Sequence, residues 1–99
     1  MAHFTYILLC DHKTFYVGMT ENLEKRVFEH KNGYSPTTKK FSNIELVYSE
    51  KYGTYREAEK RELQLKGWSI AKKKALITRD KDLLIKLSKS HEFVDATGE

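Results

Sequence analysis

Phe4-Thr5-Tyr6-Ile7-Leu8-Leu9-Cys10, then Asp11-His12-Lys13, then Thr14-Phe15-Tyr16-Val17-Gly18-Met19: residues 4–19 decide the fold. Two runs rich in aromatic and β-branched side chains, joined by three polar residues, are the pattern of a β-hairpin. The short connector sets the register. If Cys10 pairs with Thr14, Tyr16 stands opposite Leu8. Side chains alternate along a strand with period two, so Tyr6 and Tyr16 then share one face, and a one-residue slip would separate them. Neither run alternates cleanly between apolar and polar, so the hairpin is expected to be covered on both faces at least in part.

Outward from the hairpin the pattern turns helical. Thr20 is placed to cap a helix running to about Lys31, where Asn32-Gly33 ends it. Leu23 and Val27 mark its inner stripe. Arg26 and His30, four residues apart, are neighbours at the edge of that stripe, where a polar group can reach a cleft. Residues 33–43 are turn-rich and basic and read as a loop. Residues 44–49 alternate as a third strand. Thr54-Tyr55-Arg56-Glu57 is a capping box, so a second helix starts at Thr54 and stops at Gly67. Its inner stripe is Tyr55, Ala58 and Leu65, with Glu62 in the middle. Ser69 starts a third helix through Ile77, with Lys72, Lys73 and Lys74 on its outer side. Asp80 starts a last short helix using Leu83, Leu84 and Leu87. Residues 89–99 read as a flexible tail and residues 1–88 as a single domain.

Composition bounds the answer without choosing it. Ninety-nine residues make one domain with a modest core. Hydrophobic residues are 39% and charged residues 32%, as in ordinary globular domains. The net charge of +4 and isoelectric point near 9.1 favour an anionic partner such as nucleic acid. Cys10 is the only cysteine, which excludes an intramolecular disulfide and a cysteine-built metal site. The N-terminus has no signal pattern and no apolar run nears a membrane span, so the expected setting is the cytoplasm, with no membrane association.

Several polar residues carry possible chemistry, and each has a plainer reading. Tyr6 and Tyr16 can be ordinary strand aromatics; in a polar cleft beside a cation or metal, a phenol can also ionise and take a proton from water. Gly18 is a weak strand position, or one that lets another group approach closely. Arg26 suits a surface ion pair, or a fork onto phosphate oxygens. His30 stands without further histidine ligands, which points to proton transfer rather than metal binding. Glu62 either pairs with Arg61, Lys66 or Arg26, or anchors a metal, because a carboxylate on an apolar face is costly when left alone. One carboxylate completed by water and substrate oxygens suits magnesium or manganese. Lys39, Lys40, Lys72 and Lys73 can solvate the surface or contact backbone phosphates. No serine–histidine–aspartate arrangement, phosphate-binding glycine loop or zinc spacing is present.

In order and spacing these residues resemble the GIY-YIG nucleases. Tyr6-Ile7-Leu8 and Tyr16-Val17-Gly18 resemble the two halves of the family signature. Arg26 with His30, and Glu62 followed by Leu65-Lys66, match its later motifs, and Gly67-Trp68 with the lysine-rich stretch ending Ala75-Leu76-Ile77 is similar to the short single-domain bacterial branch. The first triplet is not literal, since Thr5 precedes Tyr6, and 79–82 reads Arg79-Asp80-Lys81-Asp82 where many members carry an asparagine.

The resemblance implies an α+β fold with a central three-stranded antiparallel sheet flanked by helices. It implies a DNA phosphodiesterase using one Mg²⁺ or Mn²⁺ on Glu62, with Tyr6 and Tyr16 orienting or activating the attacking water and Arg26 stabilising the phosphate. His30 falls where the family places a histidine or tyrosine. Without an appended DNA-binding domain, sequence specificity is expected to be low or supplied by a protein partner, and a monomer acting on the structure or ends of DNA, with RNA as a further candidate, is the leading expectation. Two other classes remain: a non-catalytic nucleic-acid-binding module with a remnant site, and a protein-interaction domain.

Overall fold

The structure is a computed structural model that describes residues 2–79. Its element order is β1 (His3–Cys10), β2 (Thr14–Thr20), α1 (Leu23–Lys31), β3 (Ile44–Tyr52), α2 (Tyr55–Lys66) and α3 (Ile70–Thr78). The expected last helix from Asp80 and the tail over 89–99 lie outside the described residues. The chain divides into two compact units, one up to Glu62 and one from Leu63 on.

The first unit holds one antiparallel sheet in the order β2-β1-β3. The expected hairpin register is present: Cys10 pairs with Thr14, Leu8 with Tyr16 and Tyr6 with Gly18. Asp11 and His12 both take positive φ, 51° and 63°, and the Lys13 amide donates to the Cys10 carbonyl at 3.2 Å. Those angles belong to the turns whose twist matches a hairpin. Asp11 is tied down: its carboxylate accepts from the amides of Ser42 and Asn43 at 2.9 and 2.8 Å. That anchors the end of the long loop to the hairpin turn.

Central β1 is buried from Thr5 to Leu8. Tyr6, Leu8, Cys10 and Ile44 form a core cluster with Tyr16, Leu23 and Phe41 packed against it. Burying each of Ile7 and Leu8 contributes roughly 1.5–3 kcal/mol. On the other side of β1, the Thr5 hydroxyl donates to the Ala58 carbonyl of α2 at 2.8 Å. β3 runs to Tyr52, three residues beyond the expected end, and is offset by one residue where Ile7 pairs with Tyr48 but Leu8 pairs with Leu46. Val47 is the extra residue of this bulge.

Tyr48, Glu50 and Tyr52 project from alternate positions of β3. Both tyrosine hydroxyls donate to the Glu50 carboxylate, and Arg61 of α2 donates to both of its oxygens at 2.9 and 3.0 Å. Arg61, one of the partners weighed for Glu62, bridges to Glu50.

Helix ends differ from expectation in detail. Asn22, not Thr20, caps α1: its side chain accepts from the Lys25 amide at 3.1 Å, while the Thr20 hydroxyl accepts from the Asn22 amide at 3.1 Å. Thr20 is still paired in β2, opposite Phe4, so the helix cannot start there. At the other end, Gly33 takes φ 74°, its amide donates to the His30 carbonyl at 3.3 Å, and the Tyr34 amide donates to the Glu29 carbonyl at 2.8 Å. This is a Schellman closure. At α2 the Thr54 hydroxyl accepts from the Glu57 amide and donates to the Glu57 carboxylate. Tyr55, expected inside, is exposed, its ring edge-on to His3 at 5.9 Å.

The second unit contains the end of α2 and α3, with Leu65 and Ala75 buried. Ser69 caps α3, accepting from the Lys72 amide at 3.1 Å. Lys72 lies over the Trp68 ring at 4.4 Å. Lys73, expected on an outer face, is half-buried, and that burial lowers its proton affinity.

Candidate active site

The site begins with a glycine. Tyr6 sits opposite Gly18 across the hairpin, and its ring lies over Gly18 so closely that a β-carbon there would stand 2.5 Å from the phenolic oxygen and 2.7 Å from Cζ. The missing side chain is what lets the Tyr6 ring lie flat along the sheet. The Tyr6 hydroxyl then reaches Nε2 of His30 at 2.9 Å, and Nδ1 of the same ring contacts the Thr38 hydroxyl at 2.6 Å. Tyr6, His30 and Thr38 are all at most 1% exposed, so this polar chain is sealed from water. A neutral imidazole satisfies both contacts in either tautomer.

Tyr16 completes the cluster from β2. Its ring centroid is 5.2 Å from that of His30 and 6.5 Å from that of Tyr6. Unlike Tyr6 it is only half-buried, and the Thr37 hydroxyl donates to its oxygen at 3.4 Å. The two phenols share a face, as the connector length required.

α1 presents Arg26 one turn before His30. Its side chain is 42% exposed and meets Glu29 at 3.5 Å, a pair worth little in open solvent. Arg26 lines an open cleft of about 580 Å³ with Thr20, Glu21, Asn22, Lys25 and Glu29. His30 is the fully buried residue of α1, while Leu23 and Val27, the expected inner stripe, are half-buried, with Leu23 packed against the core. The reason is the Ser/Thr-rich loop. Residues 33–43 are not simply a solvated basic segment, because Ser35 and Thr38 are buried and the loop closes over the imidazole.

The charges around Tyr6 show what has been brought together. Burial first, then Tyr16, pushes its phenol well above the usual tyrosine value; Arg26 acts the other way, and Glu62 and Glu29 add to the rise. Arg26 and Glu62 therefore lie within electrostatic reach of the Tyr6 hydroxyl. His30 is lowered below the usual 6.5, first by burial and then by Arg26, with Glu29 opposing. At neutral pH the imidazole is uncharged and Tyr6 holds its proton. Glu62 is half-buried on α2. Lys39 and Lys40 are exposed on the loop, Lys40 5.3 Å from the Phe41 ring. Lys72 and Lys73 belong to the second unit.

Sequence reasoning missed Thr38. The signal was the Ser35-Pro36-Thr37-Thr38 stretch five to eight residues after a histidine, whose hydroxyls are natural partners for a buried ring nitrogen. Among the described residues no three His, Cys, Asp or Glu side chains gather into a ready-made metal cage. What is present is an oxygen-donor setting: the Glu62 and Glu29 carboxylates both act electrostatically on the Tyr6 phenol. That fits a hard divalent ion which keeps most of its water, and does not fit zinc.

A hairpin with paired tyrosines, an arginine-bearing helix and a carboxylate helix make a nuclease-type fold. A family model described as the GIY-YIG catalytic domain matches residues 2–75, and the chain belongs to that family. The family's nuclease domain works with a divalent metal, and nucleic acid is the substrate class it points to. A UPF0213 protein of Staphylococcus saprophyticus is 38% identical over 77 residues, covering 77% of this chain and 94% of that relative. A UPF0213 protein of Natronomonas pharaonis is 38% identical over 76 residues, 76% of this chain and 89% of the relative. The solution structure of a UPF0213 protein from Bacillus halodurans superposes with a TM-score of 0.52 at 29% identity, over 79% of this chain and 84% of that one. A solution structure from E. faecalis gives 0.56 at 29% identity, over 82% and 88%. Among the described residues no helix is long and apolar enough to cross a membrane.

Proposed function

We propose that this chain is a divalent-metal-dependent endonuclease that hydrolyses DNA phosphodiesters, selecting structure or ends rather than sequence. What supports the reading is that the Tyr6 phenol hydrogen-bonds His30, neighbours the Tyr16 ring and feels the charges of Arg26 and Glu62.

Each residue has a role that follows from its surroundings. Tyr16, half-exposed, is the phenol that water can reach; it orients the attacking water and, in its deprotonated form, takes the proton as the water oxygen attacks phosphorus. Tyr6 is sealed and protonated, so it orients rather than accepts; its hydrogen bond to neutral His30 fixes the floor of the site. Arg26 forks onto the phosphate and neutralises the charge that builds while the bond to the leaving sugar oxygen breaks. Glu62 would hold a single Mg²⁺ or Mn²⁺, which supplies Lewis-acid stabilisation of the phosphoryl oxygens. Lys39, Lys40, Lys72 and Lys73 contact backbone phosphates. The protein acts as a cytoplasmic monomer, and a protein partner supplies any further specificity.

The test is cleavage of branched, nicked and flapped DNA with Mg²⁺ or Mn²⁺. Glu62→Ala and Glu62→Gln should abolish metal-dependent cutting with the fold intact, and Arg26→Ala should reduce it about 100-fold or more. Equal cutting by Glu62→Ala removes the metal assignment. Salt-sensitive binding with no cleavage under any divalent ion assigns the chain instead to the non-catalytic binding class.

A further inference from the structure

The outer face of α1 carries a feature that the nuclease reading leaves unused. Phe28 is 58% exposed and Tyr34 is 69% exposed, yet the two rings are in edge-to-face contact with centroids 6.2 Å apart. The Schellman closure explains why they meet, because such closures commonly pair the side chain after the turn with one in the last helical turn. It does not explain two aromatic rings. An aliphatic pair would close the helix as well, and little of either ring is buried by the contact.

The surroundings are basic. On a helix the neighbours of Phe28 are the residues three and four away: Glu24, Lys25, Lys31 and Asn32, of which both lysines are exposed. Lys25 also lines the cleft that contains Arg26. Lys25 and Lys31 are six residues apart, about 9 Å along the helix axis at 1.5 Å per residue. That is between two and three phosphate intervals of a stacked strand, at roughly 3.4 Å each. Phe28 lies between them in sequence and Tyr34 follows three residues after Lys31, its backbone and that of Gly33 tied to the helix end by hydrogen bonds. A rigid, exposed π-face between two cations is the arrangement that binds single-stranded nucleic acid, the bases stacking while the lysines hold the backbone.

We propose that Phe28 and Tyr34 form a stacking platform for an unpaired nucleobase, with Lys25 and Lys31 holding the flanking phosphates as the strand leaves the Arg26 cleft. This rests on the reading that the cleft takes a nucleic-acid strand, and it narrows the substrate to one with unpaired nucleotides beside the scissile bond. A base inside a duplex shows only its edges, so duplex DNA gains nothing from the platform.

The experiment measures anisotropy of a labelled oligothymidylate and of a duplex of equal length against the full chain, in EDTA so that no cutting occurs. The informative variant is Phe28→Leu with Tyr34→Leu, which keeps an apolar contact across the helix closure but removes both π-faces. Single-strand binding should weaken roughly fivefold or more, and duplex binding should change less than twofold. Phe28→Trp should retain single-strand binding. Lys25→Gln with Lys31→Gln should weaken binding to both DNAs and flatten the salt dependence. The proposal is overturned if the leucine variant binds single strands like the parent, if both DNAs lose equally, or if neither is bound. It is also overturned if sedimentation shows a dimer that the leucine variant dissolves, since a second copy then covers the pair. Cleavage with Mg²⁺ separates the two readings. Selective single-strand binding without cutting by any divalent ion sinks the nuclease reading and keeps the platform; metal-dependent cutting with no effect of the leucine variant does the reverse.

Discussion

Gly18 lies beneath the ring of Tyr6, and a β-carbon on it would stand 2.5 Å from the phenolic oxygen. This closeness couples the glycine of one strand to the polar chain that starts at the tyrosine of the other. The Gly18 backbone is ordinary strand, so the constraint is space and not conformation. Gly18→Ala must push the Tyr6 ring off His30, and overpacking of this kind costs about 1–3 kcal/mol. Chemical denaturation should show that loss, and cleavage should fall with it. Adding Tyr6→Leu should make the double variant less destabilised than the sum of the two single ones.

Thr38→Val removes the hydroxyl 2.6 Å from Nδ1 of His30 and leaves a buried nitrogen without its partner. The expected cost is about 1–3 kcal/mol. Thr38→Ser keeps the oxygen and should lose only about 1 kcal/mol, for the methyl-sized gap. Ring-nitrogen chemical shifts of His30 should move in Thr38→Val and stay in Thr38→Ser. Unchanged shifts in both would show that the hydroxyl does not hold the ring.

The pH dependence of stability follows from His30. Its folded-state value lies below the usual 6.5, because of burial first and Arg26 second. Between the folded value and 6.5 the unfolded chain binds more protons than the folded one, so stability rises with pH across that window and falls as the solution is acidified through it. Denaturation midpoints measured from pH 7.5 down to 5 should decline, and His30→Gln should flatten the decline. An equal slope in the variant would mean that another group is responsible.

The Glu50 network predicts a different pair of limits. Burial raises the Glu50 carboxyl, but hydrogen bonds from Arg61, Tyr48 and Tyr52 outweigh it and hold the group below its usual 4.5. Its stabilising contribution is present above 4.5 and is lost as pH falls through the folded value. Tyr48 and Tyr52, pushed up to about 12 by burial and then by Glu50, contribute until the pH rises past 10 towards 12. Arg61→Met removes the cation from a pair whose side chains are 20% and 18% exposed. It should cost about 3 kcal/mol, because a mostly buried carboxylate loses its charge partner. Equilibrium unfolding of the variant checks this, and a change under 1 kcal/mol would show that the two phenols suffice.

Much of this protein is legible in its linear order. The hairpin, its register and the shared face of Tyr6 and Tyr16 follow from a three-residue connector and the period-two geometry of a strand. The caps at Ser69 and Thr54 and the Gly33 stop follow from local hydrogen bonding between near neighbours. Only the tertiary structure decided that His30 is the buried residue of its helix, that Thr38 of a basic loop holds it, that Arg61 goes to Glu50, and that the Tyr6 ring needs Gly18 bare. Those facts depend on contacts between residues 8 to 24 positions apart, where burial and the demand of each buried polar atom for a partner outweigh the local preferences a sequence displays.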